Sequence, residues 1–206
     1  MTNKMLVTQG LNELKLLDSR INRAISGAKF VAAAKDSENK VGNMTKDEFN
    51  TRAKADLQSI TDLIGRRKAI KAAIVASNAV TEVEVAGFKM TVADAIERKT
   101  SIEYEKTLLN VMKKQYQLVE SQVNKANMVM EDNINALVTT AYGGDKAKKD
   151  DYELIAKPYR EANACSMVDP IKLADEIKEL ENYIEGFLSE VDSALQISNC
   201  VTMIEF

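Results

Sequence analysis

The order of hydrophobic and polar positions predicts a chain made largely of long helices. Apolar residues recur at three- and four-residue steps, the spacing that places them on one side of an α-helix. We expect helices over about 4–34, 45–77, 92–141, 150–164 and 170–197. Asp18 and Asn133 interrupt two of these stripes. A polar residue in such a seam either fixes the register of packed helices or turns to solvent as the stripe drifts.

Local capping patterns support two of the predicted helix starts. Thr45 with Glu48 has the spacing of a capping box, in which each residue satisfies a backbone N–H of the other. Thr91 with Asp94 repeats this geometry at the start of the longest helix. That helix would be about 75 Å long at a rise of about 1.5 Å per residue. Pro158 is expected to end or kink the helix over 150–164.

The apolar period changes from 3.6 to 2 over residues 81–90, which predicts a small β-hairpin with its turn at Ala86-Gly87. A two-stranded hairpin is marginal alone, and the β-rich tail at 200–206 is the expected third strand, from the same chain or a neighbour. We therefore predict a mainly α fold. Residues 1–206 would form one elongated domain, an antiparallel helical bundle or coiled coil with a small hairpin.

Composition narrows the possible functions. The 206 residues include no His and no Trp, which excludes imidazole bases and His-ligated metals. Cys165 and Cys200 lie far apart without metal-like spacing, as expected for buried or idle thiols in a reducing compartment. We expect no enzyme activity, no cofactor and no metal. A net charge of -3 argues against nucleic-acid binding, and no apolar run has the length of a membrane span.

Helical seams and the C-terminal tail are the predicted interaction residues, because no catalytic constellation competes with them. Paired helices bury such seams within one chain or between chains, and the sequence leaves both possibilities open. The candidates are Leu109, Met112, Tyr116, Val119, Val123, Met130, Leu173, Ile177, Leu180, Ile184, Phe187, Val201, Met203 and Phe206.

Three stretches carry a resemblance to a known family: residues 10–25, 87–102 and 173–199. Their order of helices, glycine-turn hairpin and capped helix start resembles the septicolysin-like small helical proteins and related phage and prophage proteins of Gram-positive bacteria. The resemblance implies a structural subunit of a bacteriophage virion or tail-like particle. Such a subunit would be made in the host cytoplasm and would contact copies of itself or other phage structural proteins. The alternative it implies is a membrane-active, pore-forming protein.

Overall fold

The computed structural model describes residues 3–143 and 149–206, and 76% of these residues are helical. Five helices account for this content: α1 (Val7–Gly27), α2 (Lys46–Val80), α3 (Val92–Tyr142), α4 (Lys149–Asn163) and α5 (Leu173–Val201). Six short strands form three antiparallel pairs: β1 (Lys4–Leu6) with β6 (Met203–Glu205), β2 (Lys40–Val41) with β3 (Met44–Thr45), and β4 (Glu82–Val85) with β5 (Phe88–Thr91). The predicted mainly α fold with small hairpins is confirmed.

The chain divides into two compact units. The first comprises Met1–Thr100 and Phe187–Phe206, and the second comprises Ser101–Gly186. Helices α3 and α5 each contribute residues to both units. The prediction that residues 1–206 form one domain stays a prediction.

The core of the first unit lies between α1 and α2. These helices are antiparallel, since Gly10 on α1 approaches Ile74 while Asp18, further along α1, pairs with Arg67. The buried side chains are Val7, Leu14, Leu17, Ile21, Ile70, Ile74 and Ile204. Leu17 occupies the inward position where the sequence stripe suggested Asp18, which is exposed. Asp18 thus lies beside the core stripe, where it pairs with Arg67 of α2, and its register role stays a prediction.

The C-terminal strand pairs with the beginning of the chain. Met5 lies opposite Ile204 in the β1–β6 pair, and Asn3 and Phe206 exchange backbone hydrogen bonds of 3.0 Å at its outer end. The prediction that the tail joins the hairpin over 81–90 is wrong. Residues 4–6 were predicted as helix but form a strand, because their backbone groups take part in this pairing. Cys200 and Val201 were predicted as strand but belong to α5.

Helix boundaries follow local capping where it is present. Thr45 Oγ1 accepts from the N–H of Glu48 at 3.2 Å, and the N–H of Thr45 donates to the Glu48 carboxylate at 2.8 Å. α1 ends at Gly27 rather than near 34, because the exposed residues beyond it have no core to pack on. α5 begins at Leu173 rather than 170, since the Asp169 carboxylate accepts from the N–H of Leu173 at 2.8 Å. α4 continues past Pro158 to Asn163.

Candidate functional site

The predicted seam of the long helix is half-buried along most of its length. In the second unit α3 runs beside α5, where Lys113 forms an ion pair with Glu181 and a shallow groove lies between Tyr116 and Ile177. Most candidates in this unit are half-buried: Leu109, Met112, Tyr116, Val119, Val123, Leu173, Ile177 and Leu180. Met130 and Ile184 are buried there, and Phe187 is buried in the first unit. Contacts of these residues with other chains stay a prediction.

The seam drifts around α3 towards its C-terminal end. Ile134 and Val138 are buried, whereas Asn133, which the sequence placed in the seam, and Leu137 are exposed. A strict seven-residue repeat has a period of about 3.5 residues, whereas an α-helix has about 3.6 residues per turn. Positions seven residues apart therefore shift around the helix axis by about 20° per heptad. The possible register role of Asn133 within this chain is therefore wrong.

The short helix α4 is held to the end of α3 by an apolar cluster and an ion pair. Met130, Ile134, Val138 and Ala156 are buried together. Beside them Arg160 donates from Nε and Nη2 to the two carboxylate oxygens of Glu131 at 2.7 and 2.9 Å. This two-pronged contact lowers the pKa of Glu131 and raises that of Arg160. The arrangement orients α4 and presents no free carboxylate pair to a substrate.

Asn127 fixes the segment that follows α4. Its amide nitrogen donates to the carbonyl of Cys165, and its amide oxygen accepts from the N–H of Cys165, both at 2.9 Å. The side-chain amide thus makes with Cys165 the same two hydrogen bonds that a neighbouring β-strand would make with that residue. Sequence reasoning missed this role, because an Asn on a long helix shows no signal that distinguishes it from an exposed polar residue.

A second stripe of α3, which we call the outer face, is exposed along the second unit. Its members recur at three- and four-residue steps, all are exposed and none is charged: Tyr104, Leu108, Val111, Gln115, Leu118, Gln122, Ala126, Val129, Asn133, Ala136 and Thr140. Tyr104 is 80% exposed and Leu118 is 59% exposed. A single buried seam is sufficient to pack a helix, so the outer face is a second surface suited to helix packing.

Sequence reasoning overlooked the outer face although the signal was present. The stripe through Leu109 and Val123 is richer in apolar residues and dominated the pattern. The outer face shows instead as an unbroken row of uncharged positions with a mean spacing of 3.6 between Tyr104 and Thr140. The charged side chain of Lys114 lies to its side.

The C-terminal candidates divide into exposed and covered residues. Val201 and Met203 are exposed, whereas Phe206 is half-buried with the Arg66 guanidinium carbon 5.4 Å from its ring centroid. Ile204, which was not among the candidates, is the buried residue of the strand. Val201 and Met203 therefore stay exposed, whereas Ile204 and Phe206 pack on the chain itself.

Within residues 3–143 and 149–206, no three His, Cys, Asp or Glu side chains are grouped as metal ligands. No helix in the described part of the chain combines the length and the apolar character needed to cross a bilayer. Comparisons with protein-family models, with curated proteins and with solved structures find no match to this chain.

Proposed function

We propose that the protein is a structural assembly subunit that associates with copies of itself through the outer face of α3. The observation that carries the proposal is the exposed, uncharged stripe from Tyr104 to Thr140. Its spacing is the one by which helices pack against helices. Fully burying a side chain such as Leu118 contributes about 1.5–3 kcal/mol relative to leaving it in water.

A second copy is the partner that the outer face fits best. Gln115 and Gln122 lie seven residues apart in the middle of the stripe. Identical copies can pair such amides with one another across an interface, because each amide both donates and accepts. Two outer faces also meet without like charges, since neither carries an ionised side chain.

The setting that we propose for this assembly is a bacteriophage virion or tail-like particle. The support is the resemblance of residues 10–25, 87–102 and 173–199 to septicolysin-like and phage proteins. In this setting the subunit is made in the bacterial cytoplasm and incorporated into the particle beside copies of itself or other structural proteins. The proposed role is non-enzymatic and requires no cofactor.

Sedimentation velocity over micromolar concentrations tests the proposal. The wild-type chain is expected to sediment as an oligomer, and the double substitution Val111→Lys with Leu118→Lys is expected to give a monomer. Asn110→Lys with Gln117→Lys is the matched control, because it adds the same charges at the same spacing on the neighbouring polar face. A monomeric wild-type chain, or equal effects of the two double substitutions, would contradict the proposal.

A further inference from the structure

One edge of the hairpin in the first unit is open. Ala86 and Gly87 have positive φ values of 52° and 79°, as a two-residue type I′ turn requires, which makes Val85 and Phe88 a hydrogen-bonded pair. Such pairs alternate along an antiparallel ladder, and the bond from the N–H of Val92 to the carbonyl of Thr81 at 2.8 Å confirms the phase. The backbone N–H and C=O groups of Glu82 and Glu84 therefore point away from β5.

No described strand covers this edge. The sheet of β4 and β5 has two strands, and the C-terminal strand is committed to β1. Ile204 is buried in that position, so the tail cannot move to the hairpin without emptying the core between α1 and α2. An unpaired edge is a template for a strand from another chain.

The open edge borders a groove of about 550 Å³ whose opposite wall is the C-terminal part of α5. Ala194, Ile197 and Val201 recur there at three- and four-residue steps. Ile197 is 65% exposed and Val201 is 69% exposed. A strand laid along β4 would cover these apolar side chains while its backbone bonds to Glu82 and Glu84.

The charge of the groove is one-sided. Its lining includes Glu82, Glu84 and Glu190 and no Lys or Arg. Glu190 is held at the turn, where its carboxylate accepts from the N–H of Ala86 at 2.7 Å. Glu82 and Glu84 lie on the exposed face of β4, opposite to the face of Val83 and Val85. A strand added beside β4 is therefore favoured when its side chains on the exposed face are basic.

We propose that this groove binds an extended segment of a partner protein, in which basic and apolar residues alternate, as a third strand beside β4. The alternation follows from the pleat: apolar side chains face Ile197 and Val201, and basic side chains face Glu82 and Glu84. Pairing of β4 with β4 of a second copy would instead place glutamates opposite glutamates, which is unfavourable. This site is separate from the outer face of α3 and does not depend on it.

The test uses the full chain and a fluorescent peptide of alternating lysine and valine with blocked ends, measured by anisotropy. We expect saturable binding, and about three- to tenfold weaker binding to the variant Glu82→Gln with Glu84→Gln, since exposed ion pairs contribute only modestly to affinity. Ile197→Lys should weaken binding at least as much. Leu188→Lys is its control, because Leu188 is an exposed apolar residue nine positions earlier, on the opposite side of α5.

Three further peptides separate strand addition from simple charge attraction. The first has lysines and valines in separate blocks, the second has glutamate in place of lysine, and the third has N-methyl groups on alternate backbone amides. Strand addition predicts that all three bind at least about tenfold more weakly, because each lacks the alternation, the charge or the backbone donors. Equal binding of the N-methylated or the block peptide, or no binding of the alternating peptide up to millimolar concentration, would overturn the proposal.

A substitution on the outer face keeps this result separate from the proposed assembly function. Val111→Lys with Leu118→Lys should leave peptide affinity unchanged even where it dissociates the oligomer. A loss of peptide affinity in that variant would contradict the claim that the groove acts independently of the outer face.

Discussion

Replacement of Ile204 by Ala tests whether the last strand is part of the core of the first unit. Ile204 is 3% exposed and belongs to the cluster that includes Ile70 and Ile74. Its Cδ1 lies 3.1 Å from the position that a Cβ on Gly10 would take, so it fills the space left by that glycine.

The expected cost follows from the size of the cavity. Substitution of a buried Ile by Ala destabilises by about 2–5 kcal/mol, which combines lost transfer energy with the energy of the residual cavity. We expect about 3 kcal/mol for Ile204→Ala, because one side of the site is a short strand that can partly collapse inwards. Ile204→Val, which removes one methylene, should cost about 0.5–1.5 kcal/mol.

Urea unfolding followed by far-ultraviolet circular dichroism provides the measurement. Met203→Ala is the matched control, because Met203 precedes Ile204 on the same strand and is 54% exposed. Exposed substitutions of this kind usually change stability by no more than about 0.5 kcal/mol. Equal losses for Ile204→Ala and Met203→Ala would refute the reasoning, because the pleat would then not determine which side chain is buried.

Three further predictions concern single sites. Thr45→Ala removes the capping oxygen of α2 and should lower the free energy of unfolding by about 1 kcal/mol in the same urea assay. Gly65→Ala should raise it by up to about 1 kcal/mol, since Gly65 is exposed within α2 and an added Cβ meets no atom within 4 Å. Arg160 lowers the pKa of Glu131 below its ordinary 4.5. The ion pair therefore stabilises the folded chain fully above pH 4.5, and this stabilisation is lost as the pH falls through the lower pKa of Glu131 in the folded state. Unfolding measured from neutral to acidic pH should show a smaller loss over that range for Glu131→Gln than for the wild type, and an equal loss would contradict the assignment.

Local signals in the sequence predicted the helical part of the fold well. The capping pair Thr45 and Glu48 places a helix start because both partners lie within one turn of each other. The same holds for Thr91 and Asp94, since the N–H of Asp94 donates to Oγ1 of Thr91 at 3.0 Å. α3 was predicted over 92–141 and is continuous over Val92–Tyr142, because its sequence contains no proline or glycine to end it.

Pairing between distant residues could not be predicted in this way. The strand at Lys4–Leu6 is three residues long, and its apolar residues fit the helical stripe that follows it equally well. Its conformation is determined by pairing with β6, which lies near the other end of the sequence. The pattern of β6 had itself predicted a different partner. Tertiary contacts of this kind override local propensity whenever the local signal is short.

The outer face of α3 is the feature on which the proposed assembly function rests. Within the second unit, α3 has one stripe that packs on its own chain, a charged flank that includes Lys114, and a third stripe that is exposed and uncharged. Solubility alone would favour charge on every exposed stripe of a helix. An uncharged stripe that keeps helical spacing from Tyr104 to Thr140 is instead what a helix needs on a side that another helix covers. Because Ile134 and Val138 fill the inward positions at this end of α3, Asn133 lies exposed on the outer face.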